Sequence, residues 1–445
     1  YLKITKLKIN NFMLIGIDAS RGNRKYKSGT EWYSYYIIRA LASVDTDNTY
    51  ILYTDRPLEG GMADLRPQGD EQASAPPVAK NGEQIILSPH GNFSARVLSW
   101  PWKFFWTQGR LSLEMLWRKP DVLFIPSHAL PIIHPRRSVV TIHDIGFRRD
   151  ETLYDRKRIG AQGGWRYRLV NRLVRLLSWG RYGATSYDHL EWSTRYALQH
   201  AQSIIAISDF TKKELISAYA ADVHKLVVIP HGYNDALFKE LPDDDHSKEV
   251  LARYGITQPY IYYVGRLEKK KNTLALVEAF GRLKEKAGSQ FKHKLYLIGT
   301  ASYGFDEIKY TIHQYGLEND VIVTGWIPEH DLAYISARAD AFVFPSNYEG
   351  FGIPLLQAMA TKTPIASSTA ASLPEVAGDA AVMFDPSNIE EMANALEVVL
   401  FNEEERSRLR QAGSIRVKTY NWTITANATK QLLEKVASQR PTEGV

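Results

Sequence analysis

The chain holds 445 residues, enough for two or three domains at roughly 150 residues each, with two the simpler reading. Its 44% hydrophobic, 11% aromatic and 23% charged content is globular and excludes disordered, collagen-like and fibrous classes. With no cysteine there is no disulfide framework, thiol nucleophile, iron–sulfur cluster or Cys-based zinc site; the net charge of +6 suits an anionic ligand or membrane surface but is too small to point to nucleic acid.

The first twelve residues are basic and lack an apolar core of signal-peptide length, so they read as an extension before the fold. Strands follow at LIGID (14–18), YILYT (50–54), IILSP (85–89), DVLFIPS (121–127), SVVTIHD (138–144), SIIAIS (203–208) and KLVVIP (225–230). A helix from about Gly29 to Ala42 opens on SGTE (28–31), a capping-box pattern. The Gly-, Pro- and charge-rich stretch 59–83 predicts a mobile loop. After an acidic linker at 240–249 the strands resume at YIYYVG (260–265), KLYLIG (294–299), VIVTG (321–325), AFVFPS (341–346), PIASS (364–368) and AVMFDP (381–386). Runs that are apolar throughout suit strands buried on both faces of a parallel sheet. The expected fold class is α/β, two tandem doubly wound Rossmann-like domains with a cleft between them, where strand carboxyl ends meet.

One further segment breaks the pattern. Between Arg156 and Tyr187 there are eight Lys or Arg and no acid, with Leu169, Val170, Leu173, Val174 and Leu177 at helical spacing between Trp165 and Trp179. Residues 165–179 read either as an ordinary core-facing helix with a basic outer side or as a peripheral membrane contact. The apolar runs are too short to span a membrane, and a disulfide-free chain fits the cytoplasm, with an inner-membrane surface as the place for such a contact.

There is no G-x-G-x-x-G after a strand, no P-loop and no HExxH. The acidic run Asp243–Asp245 lies in the linker and reads as solvated, so no metal ligands are assigned. VGRLEKKKN (264–272) leaves a buried strand and opens a helix. Arg266 and Lys271, beside a helix start with free N–H groups, read as a diphosphate site or as a solvated basic turn. FPSNYEGFGIPLLQAMATKTPIASS (344–368) turns through Glu349–Gly352 into a helix near Ile353-Pro354. Its two glycines predict close approach of backbone to a ligand, and Glu349 is an acceptor suited to sugar hydroxyls, or a capping residue. His143 and Asp144 end a strand at the cleft; the imidazole would donate to a sugar hydroxyl or polarise a reacting centre, and Asp144 would serve the site or cap the next segment. His231 also ends a strand, and Gly29 lies at a strand-to-helix turn.

Together EGFGIPLLQAMA, VGRLEKKKN, TGWIP (324–328), SLPEVAG (372–378) and TIHD resemble retaining glycosyltransferases of family 4, of GT-B fold, in their mannosyltransferase-like bacterial branch. The resemblance implies an acceptor domain over 13–239, a donor domain over 250–419, and a final helix at about 420–438 crossing back onto the first. It implies transfer of a mannose- or glucose-type hexose from a GDP- or UDP-linked sugar to a glycan or lipid-linked acceptor in cell-surface polysaccharide synthesis, with retention and no metal or other cofactor. Arg266 and Lys271 would hold the diphosphate. Glu349 would contact the donor sugar, with the backbone of Phe351, Gly352 and Ile353 nearby and His143 over the reacting carbon. Gly29, Asp144 and His231 would line the acceptor side. The acceptor would attack on the face the leaving group departs from, a leaving phosphate oxygen taking its proton. One position departs from the family pattern: Gln357 stands where a second glutamate typically takes the donor ribose hydroxyls, which would weaken one hydrogen bond by about 1 kcal/mol. Two rivals stay open: a nucleotide-sugar 2-epimerase, and an inactive nucleotide-sugar-binding module.

Overall fold

The computed structural model describes residues 13–67, 75–101, 105–150 and 185–439, together with a few positions between 168 and 183. The basic segment 165–179 lies almost wholly outside the described residues, as do residues 1–12.

Two sheets organise the chain. The first has the order β3-β4-β2-β1-β5-β6-β7-β8, with β1 Leu14–Asp18, β2 Thr49–Thr54, β3 Glu83–Ile85, β4 Phe93–Val97, β5 Val122–Ile125, β6 Ser138–Ile142, β7 Ser203–Ala206 and β8 Leu226–Val228. All its pairings are parallel except the β3–β4 edge. The second has the order β11-β10-β9-β12-β13-β14, all parallel, with β9 Tyr260–Val264, β10 Lys294–Ile298, β11 Val321–Gly325, β12 Ala341–Phe344, β13 Ile365–Ser368 and β14 Val382–Phe384. β5, β6, β7, β12 and β13 are buried along their whole length, as continuous apolar runs between two helical layers should be.

The helix Gly29–Val44 starts where SGTE predicts: the Ser28 amide and hydroxyl both donate to Glu31 Oε2, at 3.3 and 2.6 Å. Its buried stripe of Tyr33, Ile37, Ile38 and Leu41 belongs to one core cluster with Trp422, Ala426 and Leu433 of the helix Trp422–Ser438. The last helix of the chain thus packs on the first sheet's layer, and Thr425 Oγ1 donates to the Pro230 carbonyl at 2.8 Å. Gly232 permits this crossing, because a Cβ there would lie 2.3 Å from the Trp422 nitrogen.

Three local expectations need correction. IILSP (85–89) was expected as an inner strand, but only Glu83–Ile85 pairs, antiparallel at the edge, with Ile85 exposed. The inner strand is FSARV, β4, with Phe93 and Ala95 buried and Ser94 exposed, so its alternation marks one covered face. The stretch 59–83 is not all loose loop. Met62, Ala63 and Leu65 are buried, and Arg39 donates to the carbonyls of Gly61, Asp64 and Arg66 at 2.5, 2.7 and 3.1 Å. The acidic triplet is not merely solvated: Asp244 caps the helix Asp245–Arg253, accepting from the Ser247 amide at 2.9 Å.

Candidate functional site

The carboxyl edges of the two sheets face each other, and the turns leaving β6, β9 and β12 supply the charged groups. On the C-terminal wall, β9 runs into the turn Gly265–Glu268 and a 3-10 turn at Lys269–Lys271, before the helix Thr273–Ala287. Gly265 and Gly299 pass so closely that a Cβ on Gly299 would sit 1.9 Å from the Gly265 carbonyl. Arg266 leaves this turn largely exposed, 3.4 Å from Glu268. Lys271 instead points to the loop after β12, where its ammonium lies 2.5 Å from Glu349 Oε1. Ser346 Oγ donates to the same oxygen at 2.7 Å. Ser372 Oγ holds the Glu349 carbonyl at 2.9 Å, which fixes the loop from the side of SLPEVAG. Lys271 and Glu349, assigned separately to diphosphate and sugar, are therefore one largely enclosed ion pair.

The loop then enters the helix Ile353–Ala360 through Gly352, whose φ of 100° lies in the left-handed region where glycine is favoured. Proline follows in the first turn. Gly350 serves a different purpose from the expected one. A Cβ there would lie 1.9 Å from the His143 carbonyl, and the Gly350 carbonyl accepts from Ser208 Oγ at 2.8 Å. The close approach that this glycine allows is between the two domains. The Phe351 ring is buried against His231 and Tyr420, with centroids 5.0 and 5.6 Å away. Gln357 is buried one turn into the helix, its amide 3.4 Å from Glu329 Oε1.

The N-terminal wall is built of neutral rings. His143, 8% exposed, has Nε2 3.1 Å from the Pro126 carbonyl. A carbonyl only accepts, so that nitrogen carries the proton and Nδ1 is the free acceptor. Burial lowers its pKa, with the Pro126 bond and Asp144 opposing. The expected donation from His143 to a sugar hydroxyl would have to use this N–H, which the Pro126 carbonyl already takes. His128 Nε2 accepts the His143 backbone N–H at 2.9 Å, and burial followed by the nearby His143 pushes the His128 pKa down to about 3. His231, 3% exposed, stacks on Tyr33 at 4.7 Å and lies 5.5 Å from the His143 ring. Neither of its ring nitrogens has a hydrogen-bond partner, and burial lowers its pKa strongly. Gly29 is exposed at the helix start, and a Cβ there would meet nothing within 4 Å, so this turn opens onto free space.

Asp144 caps the next segment, as one reading expected, and also bridges the two domains. It accepts the Gly146 amide at 3.1 Å, and it pairs with Lys270 of the other domain at 3.1 Å. Enclosure works against its charge, but the Lys270 ammonium overrides this and holds the carboxyl well below the usual range. Lys270 is a site residue that the sequence reading missed, because a KKK run looks solvated. Glu329, Tyr36 and Glu375 were missed too. Tyr36 donates to Glu329 across the cleft, and Asn234 donates to Tyr36 Oη at 2.9 Å. Glu375 accepts the amides of Asp209 and Phe210 at 2.8 and 2.9 Å, capping a helix of the opposite domain. The PEVAG carboxylate was the one available signal for that contact.

Two facing Rossmann-like units, a cleft at their strand ends and a returning C-terminal helix define the GT-B fold. Sucrose-phosphate synthase from Thermosynechococcus elongatus aligns over 95% of this chain and 99% of its own, at a TM-score of 0.67 and 18% identity. Anabaena HepE in complex with UDP-glucose aligns over 95% and 99%, at 0.65 and 16%. Residues 27–237 match the family described as Glycosyltransferase Family 4, and residues 248–416 match Glycosyl transferases group 1. The chain thus carries both of these glycosyltransferase domains, one in each half. It is 29% identical over 249 residues to O-antigen chain mannosyltransferase B of Escherichia coli, covering 55% of this chain and 64% of that protein. It is 26% identical over 264 residues to mannosylfructose-phosphate synthase of Agrobacterium fabrum, covering 55% and 57%. The match thus spans under two thirds of the length of these relatives. Among the described residues no helix is long and apolar enough to cross a membrane.

Proposed function

We propose that this protein is a retaining, metal-independent glycosyltransferase. It moves a mannose- or glucose-type hexose from a GDP- or UDP-linked donor to a glycan or lipid-linked acceptor. The observation that carries this reading is the Lys271–Glu349–Ser346 cluster on the C-terminal wall, opposite the neutral His143. Names among the relatives favour mannose, and the HepE structure with UDP-glucose supports a nucleotide-sugar site in this fold.

The physical steps follow from the residues. A nucleoside diphosphate leaves with growing negative charge, and the Lys271 ammonium and Arg266 guanidinium oppose that charge. They supply the positive charge that a divalent ion would otherwise bring. Glu349 Oε1 is held by Lys271 and Ser346, so the carboxylate is fixed in orientation rather than free as a nucleophile. Its other oxygen takes a sugar hydroxyl. His143 Nδ1 accepts a hydroxyl from the opposite wall. The acceptor attacks on the face that the leaving phosphate vacates, and a phosphate oxygen takes its proton. The contacts of Gly350, Lys270 and Glu329 with the N-terminal domain close the cleft and exclude water that would hydrolyse the donor.

The test is a panel of UDP- and GDP-sugars with and without EDTA, read by nucleoside diphosphate release and by NMR of the product's anomeric centre. Retained configuration with turnover surviving EDTA supports the reading. Inversion, epimer interconversion, binding without turnover, or activity lost in EDTA and restored by magnesium would each overturn it.

A further inference from the structure

The peptide joining Glu349 to Gly350 is gripped from both domains. The Glu349 carbonyl accepts from Ser372 of its own domain, through the hydroxyl at 2.9 Å and the amide at 3.4 Å. The next carbonyl, that of Gly350, accepts from Ser208 Oγ of the N-terminal domain at 2.8 Å. Ser208 and Ser372 are both buried. Ser208 is also the N-cap of the helix Asp209–Tyr219, its hydroxyl oxygen accepting the Thr211 amide at 3.0 Å.

The end amides of that helix are taken as well. The Asp209 amide donates to Glu375 Oε1 at 2.8 Å and the Phe210 amide to Oε2 at 2.9 Å. A carboxylate set across the first amides of a helix gains from charge-assisted hydrogen bonds and from the helix dipole. Glu375 lies in the short helix Leu373–Ala377, just after Ser372, and Arg416 donates to its backbone carbonyl. Beside this contact the Phe210 and Tyr348 rings meet edge to face, with centroids 5.6 Å apart. The contacts close a circuit. It runs from the Glu349 carbonyl to Ser372, along the chain to Glu375, across to the helix start, and through Ser208 back to Gly350. Parting the domains leaves the Ser372 half intact and breaks the Glu375 and Ser208 half. The peptide that carries Glu349 is therefore held on both sides only in the closed state.

We propose that Glu375 is a positioning residue for Glu349 and ties the aim of that carboxylate to domain closure. Glu375 acts through the helix start, which it draws against the Gly350 carbonyl. The Glu349 side chain and its Lys271 pairing hang from the peptide so fixed. A donor in the open cleft then meets a carboxylate that is not yet aligned, which guards the sugar against water until the walls meet. The inference rests on the reading of Glu349 as the residue that contacts the donor sugar.

The experiment compares the full chain with E375Q, E349Q and E349Q/E375Q. Glutamine keeps the size of the side chain and one acceptor oxygen, but sets an NH₂ group against the second helix amide. With the preferred donor, E375Q should lower kcat about tenfold through misplacement of Glu349, and leave the donor KM within about twofold because Arg266 and Lys271 are untouched. In the E349Q background the same change should cost less than about twofold, since no carboxylate is left to aim. A contact that served stability alone would lower both backgrounds alike. Amide hydrogen exchange adds a readout that needs no turnover: peptides covering 208–211 and 349–351 should both exchange faster in E375Q than in the parent. A kcat for E375Q within about twofold of the parent, equal losses in the two backgrounds, or unchanged exchange at 349–351 would each overturn the proposal. If the unaltered chain turns over no nucleotide sugar, the proposed function falls, and exchange at 349–351 alone decides whether Glu375 reaches the Glu349 peptide.

Discussion

The two walls of the cleft differ in kind. The C-terminal wall carries charge: Arg266, the Lys271–Glu349 pair, and Glu329 beside Gln357. The N-terminal wall carries rings held neutral by burial, His128, His143 and His231 around Tyr33, and its charged Asp144 is paired with Lys270 from across the cleft. A wall of preset charge suits a ligand that is always ionised. A wall of neutral acceptors suits hydroxyl groups. On the reading proposed above, the diphosphate of the donor would meet the first wall and sugar or acceptor hydroxyl groups the second.

The most damaging way to break this contrast is to neutralise the charged wall. Lys271→Met should lower kcat/KM by about 100-fold, the loss of one charged contact to a leaving diphosphate. Glu349→Gln should lower kcat with KM nearly kept, because a carboxylate's hydrogen bonds to the sugar tighten as the ring flattens. Both are read by nucleoside diphosphate release with the preferred donor. A kcat/KM within about threefold of the parent for either variant would remove that residue from the reaction.

The next largest effect should come from separating the walls. Gly350→Ala puts a methyl where the His143 carbonyl stands, at 1.9 Å, and backbone on both sides cannot yield. The domains must part. Turnover should fall by about 30-fold or more, since closure positions the reactants. Small-angle scattering should show a larger radius of gyration, with the helical content kept. An unchanged radius with unchanged turnover would show that the contact is not part of the working state.

The charged wall was the more legible of the two in the sequence, and the reason is physical. Its residues sit in short turns between strands that are apolar throughout, so Arg266, Lys271 and Glu349 could be placed at a cleft from local pattern alone. What could not be read were the contacts that need the second domain. Lys270 and Lys271 are adjacent in one run, yet the first reaches Asp144 and the second Glu349, and nothing in KKK distinguishes them. Glu329 lies in a helix's first turn, where an acid is unremarkable, and its partner Tyr36 is 293 residues away. The His143 tautomer depends on the Pro126 carbonyl, a backbone group with no sequence signature. In the fold, β4 leaves no continuous apolar run in the sequence, because FSARV is covered on one face only.

A smaller effect tests the neutral wall. His231 has a pKa lowered by burial, so below about pH 6.5 the unfolded chain binds a proton that the folded chain refuses. Its contribution to stability is full above that pH and falls as the pH drops. His128 and His143 act with the same sign. His231→Phe keeps an aromatic ring among Tyr33, Phe351 and Trp422 and removes two nitrogens that have no partner. The variant should be no less stable than the parent at pH 7.5 and measurably more stable at pH 5, by thermal unfolding at both. Equal pH dependence in the two proteins would mean that His231 is protonated in the fold.

The smallest expected change sits within the charged wall, at Gln357. A glutamate at this position would by itself give the donor's ribose a stronger acceptor. Here, though, the Gln357 amide lies 3.4 Å from Glu329 Oε1, and Tyr36 donates to the other oxygen. Gln357→Glu sets two carboxylates side by side, and such a pair resists full ionisation, raising one pKa. The gain of an acceptor is then offset by repulsion. Ribose does not react, so kcat should hold while the donor KM rises by about fivefold, close to 1 kcal/mol, and more at pH 8 than at pH 6. Exchanging the two groups, E329Q/Q357E, restores one carboxylate and one amide and should bring KM back towards the parent. A KM that falls in Gln357→Glu alone would show that Glu329 turns away from position 357 when donor binds. A KM that stays high in E329Q/Q357E would show that the Tyr36–Glu329 contact, rather than charge at the ribose, is what the wall depends on.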